Sequence, residues 1–405
     1  MSVDVTGAAG ALSVGVIGCG AISDVYFSSI ARSPALTLTG VAARGMDSAT
    51  RQADRYGGVA MTVDRMLADP GIALIVNLTP SAAHAALNRR ILEAGKHLYT
   101  EKPFVLLPSD ADALLELAEA RGLRVGSAPD TFFGAAHQAA RAAVDAGLIG
   151  RPVHGACFVG VPGIEFFHPN PAGFYQPGGE GPYEIGPYHI TQLVNLLGPV
   201  ADVVARSAKG SDTRTVRVGP KQGTAFDVEV PTTFSALLTF VGGAVMTLTF
   251  SLDVRRHDRP SMELYGTEGT LYLSDPNFFG DAPRLSRGGG DWEELPIADR
   301  PLGRDNRSGF RGERRADYRG IGLVEMAVAM RDGRPHRTAP ALIRHCVEVM
   351  HAIIASASGA GTVTIASRCE RPTPFDAVRD ADILAEMRSP WDDVPVTPHD
   401  EGQMR

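Results

Sequence analysis

The chain has little cysteine. Cys19, Cys157, Cys346 and Cys369 are four thiols in 405 residues. No metal-ligand spacing links them, and they read as reduced thiols of a cytoplasmic protein. Positive charge is not in excess either: 39 Lys+Arg against 46 Asp+Glu leave a formal charge of −7. Without a basic field, nucleic acid is not an expected partner. No window reaches the roughly 18 apolar residues of a membrane span, so no membrane is expected. The start, MSVDVTGAAGAL, lacks the basic flank and long apolar core of a signal peptide. No His/Asp/Glu cluster shows ligand spacing, so no metal is expected. Internal repeats and low-complexity tracts are missing too. What remains is 44% apolar and 21% charged, an ordinary globular balance. At 405 residues it is too long for one hydrophobic core, which points to two domains.

The first part alternates apolar runs with helical patterns. SVGVIG (13–18) precedes an amphipathic stretch at 21–32, and LTLTGVAA (36–43) precedes 48–57. ALIVNLTP (73–80) leads into 81–95, and KHLYTEKP (96–103) into SDADALLELAEARG (109–122), before LRVGSAP (123–129). Such alternation predicts a parallel sheet wound on both faces, with ligands beyond the carboxyl ends of its strands. Gly18-Cys19-Gly20-Ala21-Ile22-Ser23 closes the first strand and opens a helix. Gly18 permits the tight turn and Gly20 lets a pyrophosphate approach the helix N-terminus, the arrangement of a dinucleotide site. After the second strand stand Ala43 and Arg44, with no carboxylate before Asp47. An acid there would bind a ribose diol, whereas an arginine suits a 2′-phosphate. NADP is therefore the expected cofactor, with NAD possible. Glu101 and Lys102 fall at the carboxyl end of the fourth run, where opposite charges are costly unless a ligand needs them.

Beyond residue 133 the pattern changes. One helix, 134–150, is followed by hairpin signals: 230–252 around Gly242-Gly243, and 262–273. Helical stretches at 321–332 and 340–356 precede a strand-like VTIA. The expected division is a loose N-terminal tail at 1–12, a Rossmann-type domain at 13–133, an α+β domain at 134–386 and a loose C-terminal tail at 387–405. The second domain is built on a large, mostly antiparallel open sheet. Its few helices can cover only one face, which leaves the other for a second subunit of a homodimer or homotetramer.

Four segments carry a resemblance: GVIGCGAIS (15–23), NLTPSAAH (77–84), GKHLYTEKP (95–103) and GGEGPYEIGPYHI (178–190). In order and spacing the chain resembles the Gfo/Idh/MocA family of NAD(P)-dependent oxidoreductases. That resemblance implies that Lys102, before a commonly cis proline, meets the reacting hydroxyl and lowers the pKa of a neighbouring acid/base. It implies that Glu101 lies near the nicotinamide, and that Thr79, Pro80 and His84 line its ribose and the cofactor's turn. Cys19, Ala21 and Ile22 complete the glycine turn.

The second-domain motif departs from the family's Asp-x-Gly-x-His, since Glu184, Gly186 and Tyr188 stand at those positions. A phenol can act as the base if Lys102 favours its anion. His189, the next residue, is the other candidate. Beside the stripe Ile190, Leu193, Val194 and Leu197, Tyr188 falls on a polar face with Thr191, Gln192 and Asn195, and His189 at its border. Tyr188 is therefore the expected acid/base. Glu184 contacts substrate, orients Lys102 or caps the helix. Asp130 and His168, with Phe132, Tyr175, Arg255 and His257, form the expected substrate rim, and His189 a further contact. The implied reaction is hydride transfer between nicotinamide and a secondary alcohol of a pyranose sugar, glycoside or cyclitol. The alternatives are a glycoside-cleaving enzyme that retains its nicotinamide, and a cofactor-binding sensor without catalysis.

Overall fold

The computed structural model describes residues 11–308 and 314–386. Residues 1–10 of the expected N-terminal tail, and the expected C-terminal tail, lie outside the described residues, while Leu12 already opens the first strand. The chain divides into two compact units. One comprises residues up to 130 together with 318–347 and 376–386; the other comprises 131–317 and 348–375.

In the first unit, β1 (Leu12–Ile17), α1 (Ser23–Arg32), β2 (Leu36–Ala42) and α2 (Met46–Tyr56) follow the expected alternation. Next come β3 (Val59–Ala60) and α3 (Val63–Ala68), which have no counterpart in the sequence reading because two residues carry no periodicity. β4 (Leu74–Asn77), α4 (His84–Glu93), β5 (His97–Thr100), α5 (Pro108–Ala120) and β6 (Val125–Ser127) complete it. The strand order is β3-β2-β1-β4-β5-β6, all parallel. β1 and β4 are buried at every residue, as a sheet covered on both faces requires. The order reverses between β1 and β4, so the turns after β1, β4 and β5 gather at one edge.

The second unit holds α6 (Ala135–Asp145), β7 (Pro152–Gly160), α7 (Gly181–Glu184), α8 (Gly186–Leu197), and strands β8 (Val200–Ala208), β9 (Thr213–Thr215), β10 (Ala225–Asp227), β11 (Thr233–Phe240) and β12 (Val245–Ser251). β13 (Met262–Gly266), β14 (Gly269–Leu273), β15 (Arg284–Arg287), β16 (Glu293–Glu294), β17 (Arg307–Ser308), β18 (Arg314–Arg315) and β19 (Val363–Thr364) follow. Nine of these strands form one sheet in the order β16-β15-β14-β13-β7-β12-β11-β8-β19, antiparallel except for β7 with β12. Phe234, Ala236, Leu238 and Phe240 of β11 alternate inward with Met246, Leu248 and Phe250 of β12. The opposite face exposes Leu237 and Val245. The hairpin turns where Gly242-Gly243 predicts, with Gly243 at φ +87°.

Three later helices are α9 (Ile321–Arg331), α10 (Pro340–Ala355) and α11 (Ala381–Glu386). Here the expected 134–386 boundary is corrected: α9, α11 and residues 340–347 of α10 belong to the first unit. α9 is buried from Ile321 through Ala329 and packs its Met326 beside Gly126 of β6. Its buried Glu325 bonds Arg334 and Arg337, and Arg337 grips Asp380 with two hydrogen bonds. A helix apolar on every side covers any apolar sheet face equally well, so pattern alone could not assign it.

Candidate active site

In the first unit the site begins at the β1–α1 turn. The Gly18 N–H donates to the Ala42 carbonyl at 2.8 Å, drawing the turn against β2. Gly18 adopts φ +113°, and a Cβ there would lie 2.7 Å from the Leu78 carbonyl carbon and oxygen. Only glycine fits. A Cβ on Gly20 would meet nothing within 4 Å, so its backbone is open to a ligand. Ser23, at the third fingerprint position, is buried and donates from hydroxyl and backbone to the Gly20 carbonyl at 2.7 and 3.0 Å. Ala21 and Ile22 complete the turn, and no side chain caps the N-terminus of α1. These donors fit a dinucleotide pyrophosphate. Burial pushes the Cys19 thiol up to about 11, so it stays neutral in the turn. Ala43 and the exposed Arg44 follow β2 directly.

The turns after β4 and β5 are braced together. The Asn77 side-chain oxygen accepts from the Thr79 N–H (3.1 Å) and hydroxyl (2.7 Å), and its amide donates to Asn88 (2.8 Å). His84 is fully buried, with Nε2 2.7 Å from the Thr79 carbonyl and Nδ1 2.6 Å from the Pro103 carbonyl. His84 thus clamps one turn to the other, rather than lining a ligand surface as the sequence suggests. Pro80 is exposed at the tip. The Lys102–Pro103 peptide is cis, and Lys102 is half-buried. Glu101 is buried; one oxygen accepts from the Tyr26 hydroxyl at 2.7 Å and the other from the Lys102 N–H at 2.9 Å. Glu101 therefore holds the Lys102 turn to α1. Tyr26 was not found from sequence, because a partner 75 residues away leaves no local signal.

Asp130 does not join a substrate rim. It is buried, and its Oδ2 accepts from the N–H groups of Gly320 (2.8 Å) and Gly322 (3.0 Å) at the start of α9. Burial raises its pKa to about 6 against the pull of those two donors. The carboxylate serves a helix N-terminus whose place beside it the sequence did not reveal.

In the second unit, α7 ends at Glu184 and α8 starts at Gly186, a break of one residue. The expected polar face of α8 is corrected: Gly186 through Leu196 are all buried. Gln192 and Asn195 bond each other at 3.3 Å, and Asn195 also receives Arg141 of α6 at 2.9 Å. Tyr188 keeps 9% exposure, while His189 is wholly buried, its Nδ1 3.3 Å from the Ile185 carbonyl and its ring edge-on to Phe250. Burial lowers the His189 pKa. A substrate contact by His189 is not compatible with that burial. Glu184 is half-buried, and its charge reaches His168, whose pKa burial lowers and Glu184 lifts. His168 Nδ1 accepts from the Asn170 N–H at 3.1 Å. Phe132 and Tyr175 of the expected rim are core residues.

Two family models match the chain, one in each unit. Residues 12–128 match the model described as oxidoreductase family, NAD-binding Rossmann fold, and residues 137–272 match the GFO/IDH/MocA C-terminal domain. A dTDP-3,4-didehydro-2,6-dideoxy-alpha-D-glucose 3-reductase of Streptomyces violaceoruber is 35% identical over 142 residues, 35% of this chain and 42% of that protein. A scyllo-inositol 2-dehydrogenase (NAD(+)) of Bacillus subtilis is 26% identical over 214 residues, 51% of this chain and 57% of that one. These matches therefore span about half the length of either relative. An NAD binding oxidoreductase from Klebsiella pneumoniae superposes with a TM-score of 0.74 at 21% identity, covering 89% of this chain and all of that one.

Proposed function

The chain belongs to the GFO/IDH/MocA family of oxidoreductases, and from that premise we propose that it transfers a hydride between a nicotinamide and a secondary alcohol of a sugar, glycoside or cyclitol. The observation that carries the reading is the Lys102 turn, held from two sides by His84 and Glu101 at the edge where the glycine turn opens. A turn braced this way keeps one ammonium at a ligand-facing edge. Bound nicotinamide would supply the hydride acceptor. Gly18, Gly20 and the open N-terminus of α1 would hold its pyrophosphate. Arg44, exposed after β2 with no acid beside it, favours NADP over NAD.

In this reading Tyr188 takes the hydroxyl proton during oxidation, and Lys102 stabilises the negative charge that develops on the oxygen. Glu184 adds a carboxylate four residues before the phenol. Sugars and cyclitols are the substrates in the names of the two curated relatives, which supports that class here. Absorbance near 340 nm with NADP or NAD and a panel of sugars, glycosides and cyclitols tests the proposal. Reduced nicotinamide accumulating with one substrate class supports it. Sugar released from a glycoside without accumulation would replace it with cleavage by retained cofactor. Silence on both counts would overturn the enzyme reading.

We also propose that the open face of the nine-stranded sheet packs on a second copy. Leu237, Val245, the stacked His154–Tyr265 pair and the Tyr272–Trp292 pair all belong to that face. Light scattering of the parent and of Leu237→Asp tests it, a parent monomer being the refuting result.

A further inference from the structure

We propose that Arg217 and Arg255 form an anion-reading subsite around the exposed ring of Phe166, so that the sugar this chain handles carries a carboxylate or a phosphate ester. The word sugar rests on the function proposed above; the anion rests on the geometry of the second unit alone.

After β7 the chain turns at Gly163 (φ +131°) into a short helical turn, Ile164–Phe166. Glu165 points inward, where the Tyr175 hydroxyl donates to it and Arg214 pairs with it at 2.9 Å. Arg214 also pairs with Asp253, whose other oxygen accepts from Thr232 (2.6 Å) and Thr233 (3.0 Å). The two carboxylates beneath this turn are thus both bound to Arg214.

Phe166 and Phe167 point outward, 38% and 46% exposed. The guanidinium of Arg217 lies 5.8 Å, and that of Arg255 5.3 Å, from the centroid of the Phe166 ring. The Arg217 N–H is anchored to the Glu165 carbonyl at 3.0 Å. Among the described residues neither arginine has a carboxylate within ion-pair distance. Other exposed arginines of the chain do: Arg55 with Asp24, Arg90 with Asp64, Arg287 with Glu293. Two guanidiniums beside one phenyl ring add their positive potentials there, which favours an anion at that ring. A guanidinium beside a ring keeps N–H groups for the two-point bonding that carboxylate and phosphate accept.

The plate belongs to the same unit as Glu184 and Tyr188. Phe166 is two residues from His168, whose imidazole responds to the charge of Glu184, and Glu184 precedes Tyr188 by four. A neutral cyclitol has no use for two unpaired guanidiniums there. A sugar acid or sugar phosphate has.

Isothermal titration of the full-length chain with glucuronate, glucose 1-phosphate and methyl glucoside decides the matter. At least one anionic probe should bind tenfold or more tightly than the neutral one, and 0.5 M salt should erase most of that preference. The responding anion distinguishes a carboxylate from a phosphate. Arg217→Gln with Arg255→Gln should bring the anion to the affinity of methyl glucoside with an unchanged melting temperature. Should the double variant not fold, Arg255→Gln alone should lower the preference at least threefold. Equal binding of charged and neutral probes by the parent, or a preference that survives the substitutions, overturns the subsite. Since binding is read without turnover, the two readings fail separately. Turnover of neutral sugars with no anion preference removes the subsite alone. An anion preference with no reduced nicotinamide from any sugar removes the dehydrogenase alone.

Discussion

Acid should weaken the first unit through His97. His97 opens β5, and its Nδ1 accepts the Arg124 N–H at 2.9 Å, next to the Leu98–Arg124 backbone bond that joins β5 to β6. An accepting nitrogen carries no proton, so the native strand pair requires the neutral ring. Burial, with the nearby Arg124 cation adding to it, lowers the imidazole from 6.5 to about 4. Between those values the unfolded chain binds a proton that the folded chain refuses. The stabilisation is therefore complete above pH 6.5 and is lost as pH falls towards 4. At about 1.4 kcal/mol per pH unit the whole span amounts to about 3 kcal/mol, of which about 2 kcal/mol has gone at pH 5. His97→Asn places an amide oxygen near the position of Nδ1 and cannot titrate. Urea unfolding of parent and variant at pH 7.5 and pH 5 isolates this residue from the other buried histidines, which both proteins share. The parent should lose about 2 kcal/mol more than the variant between the two pH values. Equal losses would refute the reasoning.

Three further outcomes follow from the geometry. Lys102→Met should lower kcat by at least about 100-fold while leaving nicotinamide affinity, measured by fluorescence titration, within threefold; unchanged turnover would remove Lys102 from the chemistry. Gly18→Ala forces a Cβ against the Leu78 carbonyl at a positive φ, so it should cost at least about 2 kcal/mol and abolish nicotinamide binding, and a stable variant that still binds would contradict the turn's role. Glu325→Ala leaves Arg334 and Arg337 without their buried carboxylate and should destabilise by about 3–5 kcal/mol in urea unfolding, whereas a loss under 1 kcal/mol would mean that the network is dispensable.

Local chemistry was legible in the sequence wherever it repeats over a short span. The glycine turn at 18–20, the alternation of β1, β2, β4, β5 and β6 with their helices, and the hairpin at Gly242-Gly243 each depend on neighbours within a few residues, so pattern reading finds them. The end-of-strand position of Lys102 followed from the same alternation. Tertiary structure decided what partners do across long separations. Asp130 looked like a ligand contact until α9, 190 residues later, brought two N–H groups to it. His84 became a clamp because two strand ends bring two carbonyls to one ring. The polar residues of α8 formed one face by spacing, but the fold buries that face, and Asn195 takes its partners from Gln192 and from Arg141 of α6. Glu165 and Asp253 pair with Arg214, while among the described residues Arg217 and Arg255 have no acid within ion-pair distance. A sequence states which groups are charged, but which charges find each other depends on distances that only the folded chain sets.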